Sequence, residues 1–227
     1  MSDAVAAAAR SRGERRRAQT RAALIRAAQQ LLAEDRTGVA VLEITELADV
    51  GLGSFYNHFD TKDDLFRAAV DAALELQGVV LDAWSDDVDD PAEVFAHSFR
   101  LTGRIHRVEP QLSRVILSRG TTLITSDLGL GPRALRDITH GCETGRFSLA
   151  DPYSALLVVG GAALALGQAI HDHPDRDDAA LVDQVTEDLL RMFGVPVEEA
   201  TAISRAPLPA IDELVARVVP DRPRPPV

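Results

Sequence analysis

The sequence has little of what many classes of protein require. Of its 227 residues, one is a cysteine, Cys142, and ten are aromatic. One cysteine cannot form an intramolecular disulfide, so we expect a reducing compartment, the cytoplasm. We find no run of alternating apolar and polar residues typical of a β-strand, whereas Ala- and Leu-rich stretches are common. The composition therefore predicts an all-α protein.

Signals for export or membrane insertion are weak. The apolar stretch 4–9 is too short for a signal peptide, and the arginines follow it rather than precede it. Residues 153–170 are 18 residues without a charge, which meets the length of a membrane span. This segment contains three glycines and five alanines and has acidic flanks, which favours a buried helix. We therefore expect no membrane partner.

Charge is distributed unevenly along the chain, whose net charge is −11. Residues 10–26 contain seven arginines and one acid, whereas the chain from residue 63 onward has 15 basic and 27 acidic residues. A basic N-terminal segment on an acidic body is expected when only one end meets nucleic-acid phosphates. Arg15, Arg16 and Arg17 are the candidates for that contact. Taken alone, the segment is better explained as a solvated helix face.

The spacing of histidines and cysteine does not indicate a metal site. His171 and His173 are two residues apart, as are His140 and Cys142, and such pairs diverge on a helix. Nothing near Cys142 resembles a positioned base for nucleophilic catalysis. We therefore predict no metal, no cofactor and no enzymatic activity.

The pattern of apolar residues predicts two helical domains with terminal extensions. We expect a disordered basic arm over 1–13, a first helical domain over 14–62, a second helical domain over 63–205, and a Pro-rich tail over 206–227. The predicted helices span about 14–34, 41–48, 52–59, 62–81, 91–108, 110–119, 132–141, 153–171, 177–193 and 211–218.

The stretch 44–62, ITELADVGLGSFYNHFDTK, has the pattern of a helix-turn-helix. Asp49 stands in the tight turn, where a residue that tolerates positive φ is required, and Val50 and Phe55 are expected to face inward. The exposed side of the second helix then carries Leu52, Ser54, Tyr56, Asn57 and His58. The four polar side chains suit base edges and phosphates, and Leu52 offers apolar contact. Lys62, at the start of the next helix, suits a phosphate. A helical hairpin with an incidentally polar face remains the alternative.

The helix-turn-helix pattern is more specific when the residues around it are included. Helix 1 carries Arg21, Leu24, Ile25, Ala27, Ala28 and Leu31, and the second motif carries Gly53, Phe55, Tyr56, His58, Phe59 and Lys62. Over residues 14 to about 70 the chain resembles the tetracycline-repressor (TetR) family of bacterial regulators. The resemblance implies base contacts at Leu52, Gly53, Ser54, Asn57 and His58, and phosphate contacts at Tyr56 and Lys62. It also implies that residues 14–62 form a DNA-binding domain and residues 63–205 a ligand-binding and dimerisation domain. A homodimer, a pseudo-palindromic DNA operator, and repression relieved by a small-molecule effector are expected with it.

Several positions depart from the family pattern. Ala40 replaces the usual Ser or Thr cap, which should cost about 1 kcal/mol. Thr45 replaces the usual Ala, and its hydroxyl is a candidate phosphate contact. Asp49 and Gly51 replace the turn Gly and the Ser cap, and Leu52 stands where a polar side chain is more common. These departures affect the choice of operator more than the fold.

Two apolar helices near the C-terminus are candidates for the dimer interface. Their stripes, with small residues that allow close packing, consist of Leu156, Val159, Gly160, Ala163, Gly167, Ile170, Val182, Val185 and Leu189. The alternative is that both stripes fill the core of the monomer.

The central helices are the candidates for a ligand pocket. Apolarity and position select Trp84, Phe95, Phe99, Gly103, His106, Ile116, Arg119, Ile138 and Cys142. The overall prediction is an all-α, ligand-responsive DNA-binding regulator, a repressor released by a small apolar or amphipathic molecule. The alternative is a helical ligand-binding or enzymatic protein whose headpiece does not read DNA.

Overall fold

The computed structural model describes residues 2–85, 88–108 and 110–208, with side chains from residue 13 onward except at 33 and 111. Within these ranges the chain is all-helical. Ten α-helices and one short 3-10 helix, Gly120–Leu123, follow one another without a strand: α1 Ser2–Ala33, α2 Val41–Leu47, α3 Leu52–Tyr56, α4 Lys62–Ser85, α5 Pro91–Val108, α6 Pro110–Arg119, α7 Leu130–Glu143, α8 Pro152–Asp172, α9 Asp178–Met192 and α10 Val197–Arg205.

The chain divides into two compact units at Ala72/Ala73, inside α4. The first unit has its core between α1, α2, α3 and the first turns of α4. The apolar stripe predicted on α1 is confirmed, since Leu24, Ala28 and Leu31 are completely buried. They meet equally buried side chains from the other three helices, namely Ile44, Phe55, Leu65 and Ala69.

Local sequence signals in this unit act as predicted. Asp49 has a positive φ of 52°, which lets α2 and α3 turn tightly on each other. The hydroxyl of Thr61 accepts the backbone N–H of Asp64, while the Asp64 carboxylate accepts the backbone N–H of Thr61. This reciprocal pair satisfies two donors at the start of α4. Ala40 makes no side-chain cap for α2.

The second unit is built around α5, which packs against α6, α7, α8, α9 and α10. Its core contains an aromatic cluster in which Phe193 lies 4.7 Å from Phe95 and 4.9 Å from Phe147 between ring centroids. Helix α8 is capped by Asp151, whose side chain accepts the backbone N–H groups of Tyr153 and Ser154. Pro152 occupies the first helical position, where its missing N–H costs nothing.

Helix α8 is the one described helix long and apolar enough to cross a membrane by length and composition. Its inner face packs into the protein core through Ala155, Leu156, Val159, Leu166 and Ile170. This packing accounts for the apolar residues of the inner face.

The structure differs from the sequence-based expectations at both ends. The arm predicted as disordered over residues 1–13 is helical from Ser2, since Ala and Arg are strong helix formers and continue the pattern of α1. Helix α10 was missed, because Pro196 and the prolines from Pro207 onward obscured a nine-residue helix whose Ala200 and Ile203 are buried. Of the predicted tail, residues 206–208 are described. The expected helix at 211–218 lies outside the described residues.

Candidate nucleic-acid interface and internal cavity

Helix α3 turns its polar side chains to solvent. Phe55 is completely buried and its ring meets the edge of Tyr56 at 5.2 Å between centroids. Tyr56 nevertheless keeps 59% of its surface exposed, with its phenol directed away from the core. Leu52, Gly53 and Asn57 are also exposed, whereas Ser54 and His58 are half-buried. The exposed face of this helix is therefore the predicted one.

Helix α1 lies beside this face and supplies positive charge. An open concavity is lined by Gly13, Arg16, Arg17 and Thr20 from α1 and by Ser54, Asn57 and His58 from the α3 region. Arg17 Nη2 donates to the backbone oxygen of Asn57 at 3.4 Å. Two guanidinium groups thus stand next to three hydrogen-bonding side chains, with no carboxylate among the lining residues. Arg15 is exposed on the same helix.

His58 lies at the inner edge of the concavity. Partial burial, and then the nearby charges of Arg17 and Arg21, hold the pKa of its imidazole below the usual value. The Arg21 guanidinium is itself placed over the Phe59 ring, 5.2 Å from its centroid. A neutral imidazole has one donor and one acceptor nitrogen, which suits a base edge.

Two predicted phosphate contacts have other partners. Thr45 is 1% exposed and its hydroxyl donates to the carbonyl of Leu42 at 2.8 Å, so the prediction that it reaches a phosphate is wrong. The site next to Ile44 is part of the core, and the hydroxyl is satisfied within its own helix. Lys62 Nζ donates to the carbonyl of Val39 at 2.7 Å. Two of the three ammonium donors then remain for a phosphate.

The second unit contains an internal cavity of about 150 Å³. Helices α4 to α8 and the segment following the 3-10 helix surround it. Most of its wall is apolar, including Leu81, Phe95, Phe99, Ile116, Ile124 and Val159. Leu123, Ile124 and Leu128, between α6 and α7, also line it.

One wall of the cavity is ionic. Asp82 from α4 and Arg133 and Asp137 from α7 line it together. Arg133 Nε donates to Asp82 at 2.7 Å, and its Nη2 donates to Glu75 at 2.7 Å. A Cβ at Gly78 would lie 2.6 Å from the guanidinium, so Arg133 can pack this closely against α4 only because Gly78 has no side chain.

A buried chain of hydrogen bonds reaches the cavity from another side. His106, which lines the cavity, has Nδ1 2.6 Å from the Ser113 hydroxyl, and that hydroxyl is 2.8 Å from Nε2 of His171. Burial, and then the charge of His171, lowers the pKa of His106 to about 4. His106 is therefore neutral near pH 7. A Cβ at Gly167 would lie 2.5 Å from its ring, so α8 has a glycine where the imidazole needs room.

Four of the nine predicted pocket residues line this cavity, namely Phe95, Phe99, His106 and Ile116. The others belong elsewhere: a Cβ at Gly103 would meet Val182 at 2.7 Å, Ile138 and Cys142 pack in the core, and Trp84 lies 4.4 Å from the His97 ring. Arg119, at the end of α6, is not among the lining residues. Reasoning from apolarity missed the ionic wall, for which Gly78 inside a helical pattern was the available signal.

The stripe predicted for a dimer interface is mostly the core of the monomer. Leu156, Val159, Ile170, Val182 and Leu189 are buried within the chain, and Ala163 and Val185 pack against the same core. The two glycines of the stripe contact other parts of the chain, since a Cβ at Gly160 would meet Ile124 and one at Gly167 would meet His106. Burial within the chain therefore favours the alternative, that both stripes fill the core of the monomer.

A different face of α8 is exposed and apolar. Tyr153, Leu157, Gly161 and Ala165 follow one another at intervals of four residues, with Val158 beside them. Leu157 and Val158 are 44% and 49% exposed, and a Cβ at Gly161 would meet nothing within 4 Å. We call these five residues the outer stripe. A contiguous exposed apolar face of this kind is typical of an interaction surface.

Sequence families account for both units. The family described as "Tetracyclin repressor-like, C-terminal domain" matches residues 90–206, more than half of the chain. The family described as "Bacterial regulatory proteins, tetR family" matches residues 24–69. The chain belongs to the TetR family. The all-helical architecture of the described residues confirms the predicted fold class, a helix-turn-helix domain followed by a helical ligand-binding domain.

Solved structures similar to this TetR-family chain include RolR. RolR in complex with resorcinol is 36% identical over 87% of this chain and 98% of its own, with a TM-score of 0.66. RolR without ligand is 36% identical over 84% and 99%, with a TM-score of 0.70. FadR from Bacillus halodurans, at 20% identity and a TM-score of 0.61 over 75% and 94%, shares the fold. No curated protein sequence matches the chain.

The predicted function follows from membership of the TetR family. The protein is a ligand-responsive, DNA-binding transcriptional regulator of the repressor type. Among the described residues, no group of three or more His, Cys, Asp and Glu side chains could hold a metal ion.

Proposed function

We propose that two copies of this regulator bind a pseudo-palindromic operator through α1 and α3, and leave it when a small hydroxylated aromatic molecule fills the cavity. The observation that carries the proposal is the cavity of about 150 Å³, with apolar walls and one ionic wall. The contacts with DNA, the dimer and the ligand class are argued in turn below.

The size of the cavity favours a single aromatic ring. An apolar cavity of about 150 Å³ is large enough to hold benzene. A long acyl chain or a nucleotide needs several times that space. The resorcinol complex of RolR, whose sequence is 36% identical, supports a ring with hydroxyl groups as the ligand class.

The concavity between α1 and α3 supports the DNA contacts. Arg16 and Arg17 offer positive charge for phosphates beside the Ser54, Asn57 and His58 groups that suit base edges. The exposed Tyr56 hydroxyl and the two remaining donors of Lys62 suit further phosphates, and Arg15, Leu52 and Gly53 complete the surface. Thr45 is not part of this proposed surface, because its hydroxyl is buried and bonded to Leu42. A dimer would place the two recognition helices about 34 Å apart, one turn of DNA.

The outer stripe of α8 is the proposed dimer interface. A second copy is the natural partner, because a two-fold axis lets the same stripe cover itself, with Gly161 and Ala165 allowing close helix packing. Leu157→Arg should convert the dimer to a monomer in light-scattering measurements, with the exposed Glu143→Arg as control. A dimer that persists with Leu157→Arg would refute this interface.

Helix α4 is the proposed link between ligand and DNA. It runs without interruption from Lys62 to Ser85, and its Glu75 and Asp82 bind Arg133 of α7 beside the cavity. A ligand that disturbs these ion pairs would displace α4. A coupling free energy of about 1–3 kcal/mol is enough to weaken operator binding about 5- to 150-fold.

The test is to measure binding of the purified protein to its own upstream DNA by fluorescence anisotropy, with and without resorcinol, over a range of salt concentrations. We expect salt-dependent binding that resorcinol weakens. Absence of salt-dependent DNA binding would favour the alternative, a helical ligand-binding or enzymatic protein. We place the regulator in the cytoplasm, where its DNA lies, and propose no catalytic step.

A further inference from the structure

The ionic wall of the cavity contains one acceptor that differs from the rest. Three charged residues line the cavity there, Asp82, Arg133 and Asp137, with Glu75 and Arg136 bound to them. These residues differ in how many of their donor and acceptor atoms are already hydrogen-bonded within the chain. An atom without such a partner is available to a ligand.

Arg133 is almost fully occupied. Its Nε donates to Asp82, its Nη1 donates to Glu75 at 3.0 Å and to the carbonyl of Gly129 at 2.8 Å, and its Nη2 donates to Glu75 at 2.7 Å. Four of its five N–H donors are thereby used. Such a guanidinium has little left with which to grip a carboxylate ligand.

Asp82 is occupied on both oxygens. Its Oδ2 accepts from Arg133 Nε at 2.7 Å and its Oδ1 accepts from Arg136 Nη2 at 2.8 Å. Asp137 differs, because Arg136 Nε and Nη2 both approach its Oδ1, at 2.9 and 2.8 Å. Among the residues that the structure describes, none donates a hydrogen bond to Asp137 Oδ2.

The balance of charge in this wall also disfavours a ligand that carries a carboxylate. The wall holds three carboxylates, Glu75, Asp82 and Asp137, against two guanidinium groups, Arg133 and Arg136. A carboxylate on the ligand would add a fourth negative charge to a partly desolvated site, whereas a ring hydroxyl brings a proton and no charge.

We propose that Asp137 determines the specificity of the cavity: its Oδ2 accepts a hydrogen bond from a ring hydroxyl, and its charge excludes rings that carry a carboxylate. The ligand class is thus a neutral phenol or dihydroxybenzene. This inference rests on the proposed function of the cavity as the ligand site.

The test compares resorcinol with 3-hydroxybenzoate, which replaces one hydroxyl by a carboxylate at the same ring position. Binding to the full chain is followed by calorimetry and by the emission of Trp84, the one tryptophan. The wild type should bind resorcinol at least about tenfold more tightly, because a hydrogen bond to a charged group is worth about 10- to 100-fold. Asp137→Asn should weaken resorcinol binding and strengthen 3-hydroxybenzoate binding, so that the preference collapses.

Asp188→Asn on the exposed surface of α9 is the matched control and should leave both affinities unchanged. Asp137→Glu keeps the charge but displaces it, so it should weaken resorcinol binding while still rejecting 3-hydroxybenzoate. This second variant decides the question if Asp137→Asn fails to fold.

A wild type that binds neither probe, or prefers 3-hydroxybenzoate, would overturn the inference, as would an unchanged preference in the variants. DNA binding is measured separately. A protein with the expected ligand preference but no DNA binding would overturn the proposed function and leave the role of Asp137 intact.

Discussion

Arginines serve opposite purposes in two regions of this molecule. In the concavity between α1 and α3, Arg16 and Arg17 face solvent without a lining carboxylate. Beside the internal cavity, Arg133 is held by Glu75 and Asp82, two carboxylates on the same helix. In the first region the positive charge is available to a partner outside the chain, whereas in the second it is neutralised by ion pairs within the chain.

The two regions also contain histidines with the same direction of pKa shift. Burial is the main cause for both His58 and His106, but His58 is half-buried beside arginines, whereas His106 is buried and bonded to Ser113. The net charge of a region alone therefore does not identify it as a binding surface. Its charged groups must also be free of ion pairs within the chain, and the following substitutions test that difference.

The largest effect is expected at Arg133. Arg133→Ala removes four hydrogen bonds of a side chain that is only 19% exposed, and with them the ion pair of Glu75 and one of the two ion pairs of Asp82. The free energy of unfolding should fall by about 3 kcal/mol. Chemical denaturation measures the loss. Arg191→Ala is the control, because its ion pair with Asp188 is exposed on both sides, and about 0.5 kcal/mol or less is expected there. Equal effects in both variants would contradict the proposed difference.

The pH dependence of stability should report on His106. Its folded-state pKa of about 4 lies below the usual 6.5, so the unfolded chain takes up the proton first as pH falls. The free energy of unfolding should therefore decrease between pH 6.5 and about 4, with about 3 kcal/mol from this group. His106→Gln should flatten this part of the profile, whereas His173→Gln, at an exposed position, should not.

Substitutions in the concavity should act on DNA binding instead of stability. In Arg16→Ala/Arg17→Ala the slope of log affinity against log salt should fall by about 0.9 for each lost phosphate contact. The melting temperature should stay within the range of an ordinary surface change. Arg176→Ala, exposed in the second unit, is the control. An unchanged slope would remove α1 from the DNA interface.

The smallest effect is expected at Thr45. Because its hydroxyl is bonded to Leu42 inside the core, Thr45→Val should leave DNA affinity unchanged and alter the free energy of unfolding by about 1 kcal/mol. Anisotropy and denaturation measure the two quantities. A drop in DNA affinity at unchanged stability would show that the hydroxyl does contact phosphate.

Features that depend on neighbours in sequence were predicted well. The positive φ of Asp49 and the missing side-chain cap at Ala40 each follow from the chemistry of one residue. The apolar period of α1 also identified its buried face, because polar residues occupy the other side. At these positions residues close in sequence determine the local structure, without a distant partner.

Features that depend on distant partners were missed. Helix α8 is apolar on nearly all sides, so its period could not distinguish the face that meets α5 and α7 from the outer stripe. Its glycines suggested a second helix, whereas Gly160 and Gly167 make room for Ile124 and His106 of the same chain. The pairing of Arg133 with Asp82, 51 positions apart, has no local signature.

Helix α8 has a consequence for how this protein can diverge. Cavity-lining positions such as Val159 and Gly160 alternate along the helix with outer-stripe positions such as Val158 and Gly161. The two sets lie on different faces of the helix, one lining the cavity and the other turned away from it. If the outer stripe is the dimer interface, as proposed, recognition of new ligands can evolve one residue away from the surface that joins two copies.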